Sequence, residues 1–166
     1  THVAGTVGGS GLNSGGTNRG MAPQATIISG QYDACAPFCF YNSPNDVSPD
    51  YIMARETYGI ELTTNSMGAN VSPNAYPCSW FGDYELTSRI LDGMVKQTVD
   101  RPLTMFWAAG NERGDAGCNN SSYRCMSIPA SAKNIVTVGA TTGADALASF
   151  SSFGPTDDGR IKPEVC

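Results

Sequence analysis

Histidine is nearly absent from this chain: His2 is the only one among 166 residues. Charge is scarce too, with Asp, Glu, Lys and Arg making up 15% of the sequence and a net charge of −5. An acidic balance without any Lys/Arg cluster argues against a nucleic-acid binder. No apolar run approaches the roughly 20 residues that span a bilayer, so a membrane is not an expected partner. The sequence shows neither an initiator Met nor a signal-peptide pattern, which reads as a mature product or an excised segment. The glycine-rich "GTVGGSG" fits neither G-x-G-x-x-G nor G-x-x-x-x-G-K-[ST], which argues against nucleotide binding. "GGSGL" is likewise not the G-x-S-x-G of a hydrolase elbow.

What is present is turn chemistry, with 19 glycines and 10 prolines. A chain of 166 residues is one domain's worth and can bury about 70% of its unfolded surface. Six cysteines stand at 35, 39, 78, 118, 125 and 166. Their C-x3-C and C-x6-C spacings lie in loops and differ from the close Cys/His pairs that zinc needs. Disulfides are the first reading and free thiols the second. Cys35–Cys39 and Cys118–Cys125 are the natural local pairs, although sequence alone does not fix connectivity. Disulfides imply an oxidising compartment, and the expected location is secreted or cell surface.

Along the chain, residues 1–9 read as a short small-residue helix packed closely against a neighbour, and 10–20 as a loop. "ATIISGQ" (25–31) reads as a buried strand from its β-branched run. Residues 48–59 predict a helix with Ser48 as N-cap, Pro49 at the first position and Gly59 as the stop. "IELTTNSMG" (60–68) predicts a strand, and 83–100 a helix with apolar residues at 86, 90, 91, 94, 95 and 99. "PLTMFWAAGN" (102–111) and "NIVTVGATT" (134–142) predict two further strands. This alternation indicates an α/β fold with a largely parallel sheet flanked by helices. Ligands of such sheets sit at the carboxyl ends of the strands, which here read "NSMG" and "AAGN".

Each candidate has an ordinary reading beside its chemical one. Asn111 offers a carboxamide donor just past a strand end, suited to an oxyanion, yet Gly-Asn is also a common turn pair. "NSMG" offers an edge for an extended peptide, and is weak alone. Asp157 and Asp158 before Gly159 read as a solvated turn. Glu112 and Asp115 supply oxygen ligands of the kind calcium takes, without EF-hand spacing. Asn70-Val71-Ser72 and Asn119/Asn120 with Ser121/Ser122 match the glycosylation sequon, which has meaning in a eukaryotic secretory host.

The order of these signals is more specific than any one of them. "THVAGTVGG", "GMAPQATI", "NSMG", "AAGN", "IPASAKNIVTVGAT" and "FSSFGPTDDGRIKPEV" follow one another as in subtilisin-like serine peptidases, and the chain resembles that family over nearly its whole length. The resemblance implies a partial peptidase domain over 1–166 with a subtilisin-like fold, incomplete as given. It matches Asn111 to the oxyanion-hole asparagine. Ser66, Met67 and Gly68 match the strand that pairs with the substrate backbone and forms one wall of the pocket for the residue before the scissile bond (P1). Ala108, Ala109 and Gly110 match the opposite wall and floor. Met67 stands where Leu or Trp is more familiar; an apolar, fairly open pocket favours large apolar P1 residues.

The family's catalytic histidine is the first in H-G-T-H-V-A-G-T, and this sequence starts at the Thr of that motif. His2 therefore matches the second, structural histidine. The aspartate and serine motifs of the triad are also missing from the sequence, so the expectation is a segment of a secreted serine endopeptidase that is inactive by itself. The chemistry of the parent would be peptide hydrolysis through an acyl-enzyme. A peptide-binding module that has lost the triad is the alternative, and a disulfide-braced domain without a cleft is a third reading. No cofactor is firmly implied; the resemblance leaves room for calcium in the parent protein. The expected partners are a peptide or protein substrate. The resemblance also implies that the strand bearing the triad aspartate, which in the family lies mid-sheet between those matching "ATIISGQ" and "IELTTNSM", is missing, so a homo-oligomer or swapped dimer of the fragment is also expected.

Overall fold

The computed structural model describes residues 1–30, 43–70, 76–97, 102–114 and 124–166. The chain divides into two compact units, Thr1–Gln31 and Tyr32–Cys166. Cys35, Cys39, Cys118 and Asp115 fall outside the described residues, so the local cysteine pairs and the Glu112/Asp115 calcium reading stay with the sequence.

In the first unit, α1 spans His2–Gly8; none of its residues is fully buried, and the segment that returns along it approaches closely, a Cβ on Gly8 falling 2.6 Å from the Ile27 side chain. The chain then turns through Gly11 and Gly15, both in left-handed conformation, and returns to the end of the helix. There Gly20, Met21 and Ala22 donate main-chain N–H groups to Gly9, Thr6 and Val7 at 2.8, 3.1 and 2.7 Å. A Cβ on Gly20 would lie 2.5 Å from the Gly9 nitrogen, so the return requires glycine there. The predicted buried strand at 25–31 is corrected over its described part: residues 25–30 form no strand and are exposed. Ile27 and Ile28 find no ladder partner among the described residues, and β-branched propensity without a partner strand does not make a sheet.

The second unit carries the sheet and the core. A 3₁₀ turn at Pro44–Asp46 runs straight into α2, Val47–Tyr58. The N-cap is therefore Asp46 and Pro49 is the third helical residue, which corrects the predicted Ser48/Pro49 start. Gly59 ends the helix at φ 66°, as expected of a left-handed C-cap. Helix α3, Leu86–Gln97, starts later than predicted. The Glu85 carboxylate sets its start by accepting the Thr87 and Ser88 N–H groups at 2.5 and 2.8 Å.

Strands β1 (Leu62–Asn65), β2 (Thr104–Ala108) and β3 (Val136–Val138) form a parallel sheet in the order β1-β2-β3. Their registers place Asn65 opposite Trp107, and Ala108 opposite Val138. The α/β class with a parallel sheet and flanking helices holds, with each strand shorter than predicted. Around β2, burial alternates with the strand period: Leu103, Met105, Trp107 and Ala109 are buried while Thr104, Phe106 and Ala108 are not. The buried set joins Val47 and Tyr51 of α2, Leu91 and Met94 of α3, and Met126, Ala130, Ala132 and Ile135. One face of the sheet thus rests on the core, and the other face is more open.

Polar bonds fasten the later loops to this frame. Asp92, buried on α3, accepts the Lys133 and Asn134 N–H groups at 3.0 and 2.6 Å and the Tyr84 hydroxyl at 2.6 Å. The last residues follow β3: Gly139 donates to the Val165 carbonyl at 2.8 Å, and Val138 bridges Val165 in parallel. Buried Lys162 secures that segment, donating to the Ile135 carbonyl and Thr137 hydroxyl at 3.1 Å each and pairing with Glu164 at 2.6 Å. Burial pushes the Lys162 ammonium below its ordinary pKa, and Glu164 opposes that shift.

Burial, and then the bond to Asp92, push the Tyr84 phenol up from 10.0 to about 12. A raised folded-state pKa contributes stability that is whole below pH 10 and is lost as pH rises through 12. In an absorbance titration of the folded protein, the Tyr84 phenol should ionise near pH 12, and Tyr84→Phe should reduce the late-titrating signal by one phenol. A late component of undiminished amplitude in Tyr84→Phe would contradict this assignment.

Candidate functional site

Because β1 and β2 are parallel and paired as far as Asn65 and Trp107, the segments that follow leave the sheet side by side. Ser66, Met67 and Gly68 continue β1; Ala108 closes β2, and Ala109, Gly110 and Asn111 follow it. The structure brings these seven sequence-predicted residues to one end of the sheet. Ser66 and Asn111 are exposed, and Met67, Gly68, Ala108 and Gly110 are half-buried. Ala109 differs: its side chain belongs to the core cluster, so it presents only main chain to the sheet end.

Sequence reading did not single out Ser127, the residue that joins the two segments. Its N–H donates to the Ala109 carbonyl at 3.0 Å, and its hydroxyl donates to the Ala69 carbonyl at 2.9 Å. The next residue, Ile128, accepts the Ala69 N–H at 3.0 Å. The joint leaves no room for a side chain at Gly110 and little at Gly68. A Cβ on Gly110 would fall 2.2 Å from Ser127 Oγ, and one on Gly68 would fall 3.0 Å from Ser127 Cβ. Gly110 also has φ 106°, a backbone conformation that suits glycine. "IPASAKNIVTVGAT" pointed to this region; a lone serine one residue before it carried no signal.

The loop beyond Gly110 is fixed from its far side. Ser152 donates its N–H to the Gly110 carbonyl at 3.0 Å and accepts the Glu112 N–H on its hydroxyl at 2.9 Å. The Arg113 N–H reaches the Phe150 carbonyl at 3.3 Å, and its guanidinium lies 4.6 Å from the Phe153 ring centre. Asn111 thus sits exposed between two anchored neighbours, Gly110 and Glu112. Buried Glu112 also meets Asn70: with its amide nitrogen turned inward, Asn70 donates to Glu112 Oε1 at 3.0 Å. Among the described residues, no group of three or more His, Cys, Asp or Glu could hold a metal ion. Cys125 is buried, its Sγ donating to the Phe153 carbonyl at 3.5 Å.

The roots of the first segment are fixed as well. Asn65 is buried, accepts the Tyr51 hydroxyl at 2.5 Å and donates to the Phe106 carbonyl at 3.0 Å. His2, by contrast, is an exposed residue at the start of α1, in the other unit.

A parallel α/β sheet with small-residue loops side by side at its carboxyl end defines a class of strand-end ligand sites. Within that class the chain belongs to the subtilase family, whose model matches residues 1–166. The subtilisin-like serine protease AsES of Sarocladium strictum is 32% identical over 93% of this chain and 32% of its own length. An extracellular serine proteinase of Thermus sp. (strain Rt41A) is 30% identical over 93% of this chain and 30% of its own. This chain therefore spans about a third of the length of these relatives. Among solved structures it is similar to the prenylagaramide maturation protease PagA. That match has a TM-score of 0.46 and 18% identity, over 75% of this chain and 41% of that one. Among the described residues no helix is long and apolar enough to cross a membrane.

The two glycines should respond differently to a methyl group. Gly110→Ala meets both the left-handed backbone and the Ser127 hydroxyl, and should lower stability by about 3 kcal/mol or more in chemical denaturation. Gly68→Ala meets only a tight contact and should cost about 1 kcal/mol. Equal losses would contradict the left-handed backbone and the closer Ser127 contact assigned to Gly110.

Proposed function

We propose that this chain is the substrate-facing segment of a secreted serine endopeptidase. In this reading Asn111 donates to the oxyanion of the tetrahedral intermediate. Ser66, Met67 and Gly68 pair with an extended peptide. Ala108 and Gly110 line the opposite wall of an apolar P1 pocket, and Ala109 contributes main chain. The reaction is peptide hydrolysis through an acyl-enzyme, with the attacking serine, the base and its aspartate supplied by other parts of the parent protein.

One observation carries the reading: an exposed carboxamide, Asn111, directly follows a glycine locked at φ 106° and lies at the same sheet end as segment 66–68. A donor held by its neighbours costs little reorganisation when charge develops on the substrate oxygen. Subtilase membership, and relatives named serine proteases, support the chemistry. One relative's name is that of an extracellular enzyme, and the six cysteines agree with an oxidising compartment.

The full-length protein should hydrolyse a peptide anilide with a large apolar P1 residue and lose that activity to a serine-hydrolase inhibitor. Asn111→Ala should lower kcat by about 10²–10³, the loss known for such a donor in a subtilisin, with KM little changed. The 166-residue chain alone should show no hydrolysis. A full-length protein that binds extended peptides and cleaves none would overturn the peptidase reading in favour of a peptide-binding module.

A further inference from the structure

We infer that Trp107 is a positioning residue for the peptide-pairing segment, acting through an indole hydrogen bond to the Met67 carbonyl; the inference rests on the proposed role of residues 66–68. Trp107 lies in β2 with its side chain in the core, 2% exposed. Its Nε1–H donates to the Met67 carbonyl at 2.6 Å. Ladder pairing between β1 and β2 ends at Asn65 and Trp107, so Met67 lies beyond its reach. A side chain therefore does at Met67 what the main chain does one turn of the pleat earlier.

The direction of that bond matters. In a trans peptide the carbonyl and the following N–H point to opposite sides. A Met67 carbonyl drawn toward the Trp107 indole, whose ring lies in the core, turns the Gly68 N–H away from that indole. Anchors on either side hold the same register. Asn65 is fixed by Tyr51 and the Phe106 carbonyl, and Ala69 by Ser127 and Ile128. Between Asn65 and Ala69, the Trp107 bond holds the carbonyl of the Met67–Gly68 peptide. Phe at 107 would fill most of the space and lack the donor.

The test compares Trp107→Phe with wild type in the full-length protein, on two substrates. One is a peptide anilide long enough to run along 66–68, and the other is a single-residue ester that does not reach Gly68. A melting curve verifies that the variant is folded. The expected result is a KM raised about 3- to 10-fold for the long substrate, with kcat and the ester kinetics little changed. Amide exchange at Gly68 and Ala69 should also be faster in the variant. Equal effects on both substrates, or on neither, would overturn the inference. If the wild-type protein cleaves neither substrate, the peptidase reading fails instead, and exchange decides the positioning role: unchanged rates at Gly68 and Ala69 would end it.

Discussion

The site depends on one small joint, Ser127 wedged between the strand ends. It offers a donor to each side, the N–H to Ala109 and the hydroxyl to Ala69. Two parallel strands that stop pairing would otherwise diverge, because nothing in the ladder extends past Asn65 and Trp107. A short side chain with one hydroxyl keeps the gap narrow, and the narrow gap requires glycine at 110 and leaves a Cβ at 68 only a tight fit. The glycines usually credited to flexibility are here a consequence of close approach. The same approach sets the place of Asn111, whose neighbours on both sides are anchored.

Two faces of β2 divide the labour. Leu103, Met105, Trp107 and Ala109 enter the core formed with α2 and α3, which fixes the strand in space. Ala108 and Gly110 belong to the more open face. Trp107 serves both ends of this arrangement, because its ring is core and its N–H reaches the Met67 carbonyl. Core packing and placement of segment 66–68 are thus not separable at this residue, since moving the ring moves the donor.

Much of this was legible in the sequence, for identifiable reasons. The apolar spacing of 86–95 gave α3, Gly59 gave the end of α2, and the β-branched or apolar runs at 60–68, 102–111 and 134–142 gave the three strands. The order of short motifs gave the subtilase family and the seven residues that converge at the sheet end. The run at 25–30 misled, because a strand is made by its partner as much as by its own residues. The start of α2 was misplaced because the 3₁₀ turn at 44–46 flows into it, leaving Pro49 inside the first turn. Ser127 and Trp107 were illegible for another reason: a hydroxyl and an indole become structural parts only when the fold brings a carbonyl to them.

The central claim is that an extended peptide lies along residues 66–68 with its scissile carbonyl beside Asn111. The most direct measurement is a crystal structure of the full-length protein with a covalent peptidyl inhibitor of serine hydrolases. The account predicts main-chain hydrogen bonds from the peptide to Ser66 and Gly68, and an inhibitor oxygen within hydrogen-bond distance of Asn111 Nδ2. A peptide bound away from this sheet end, with Asn111 facing solvent, would contradict it.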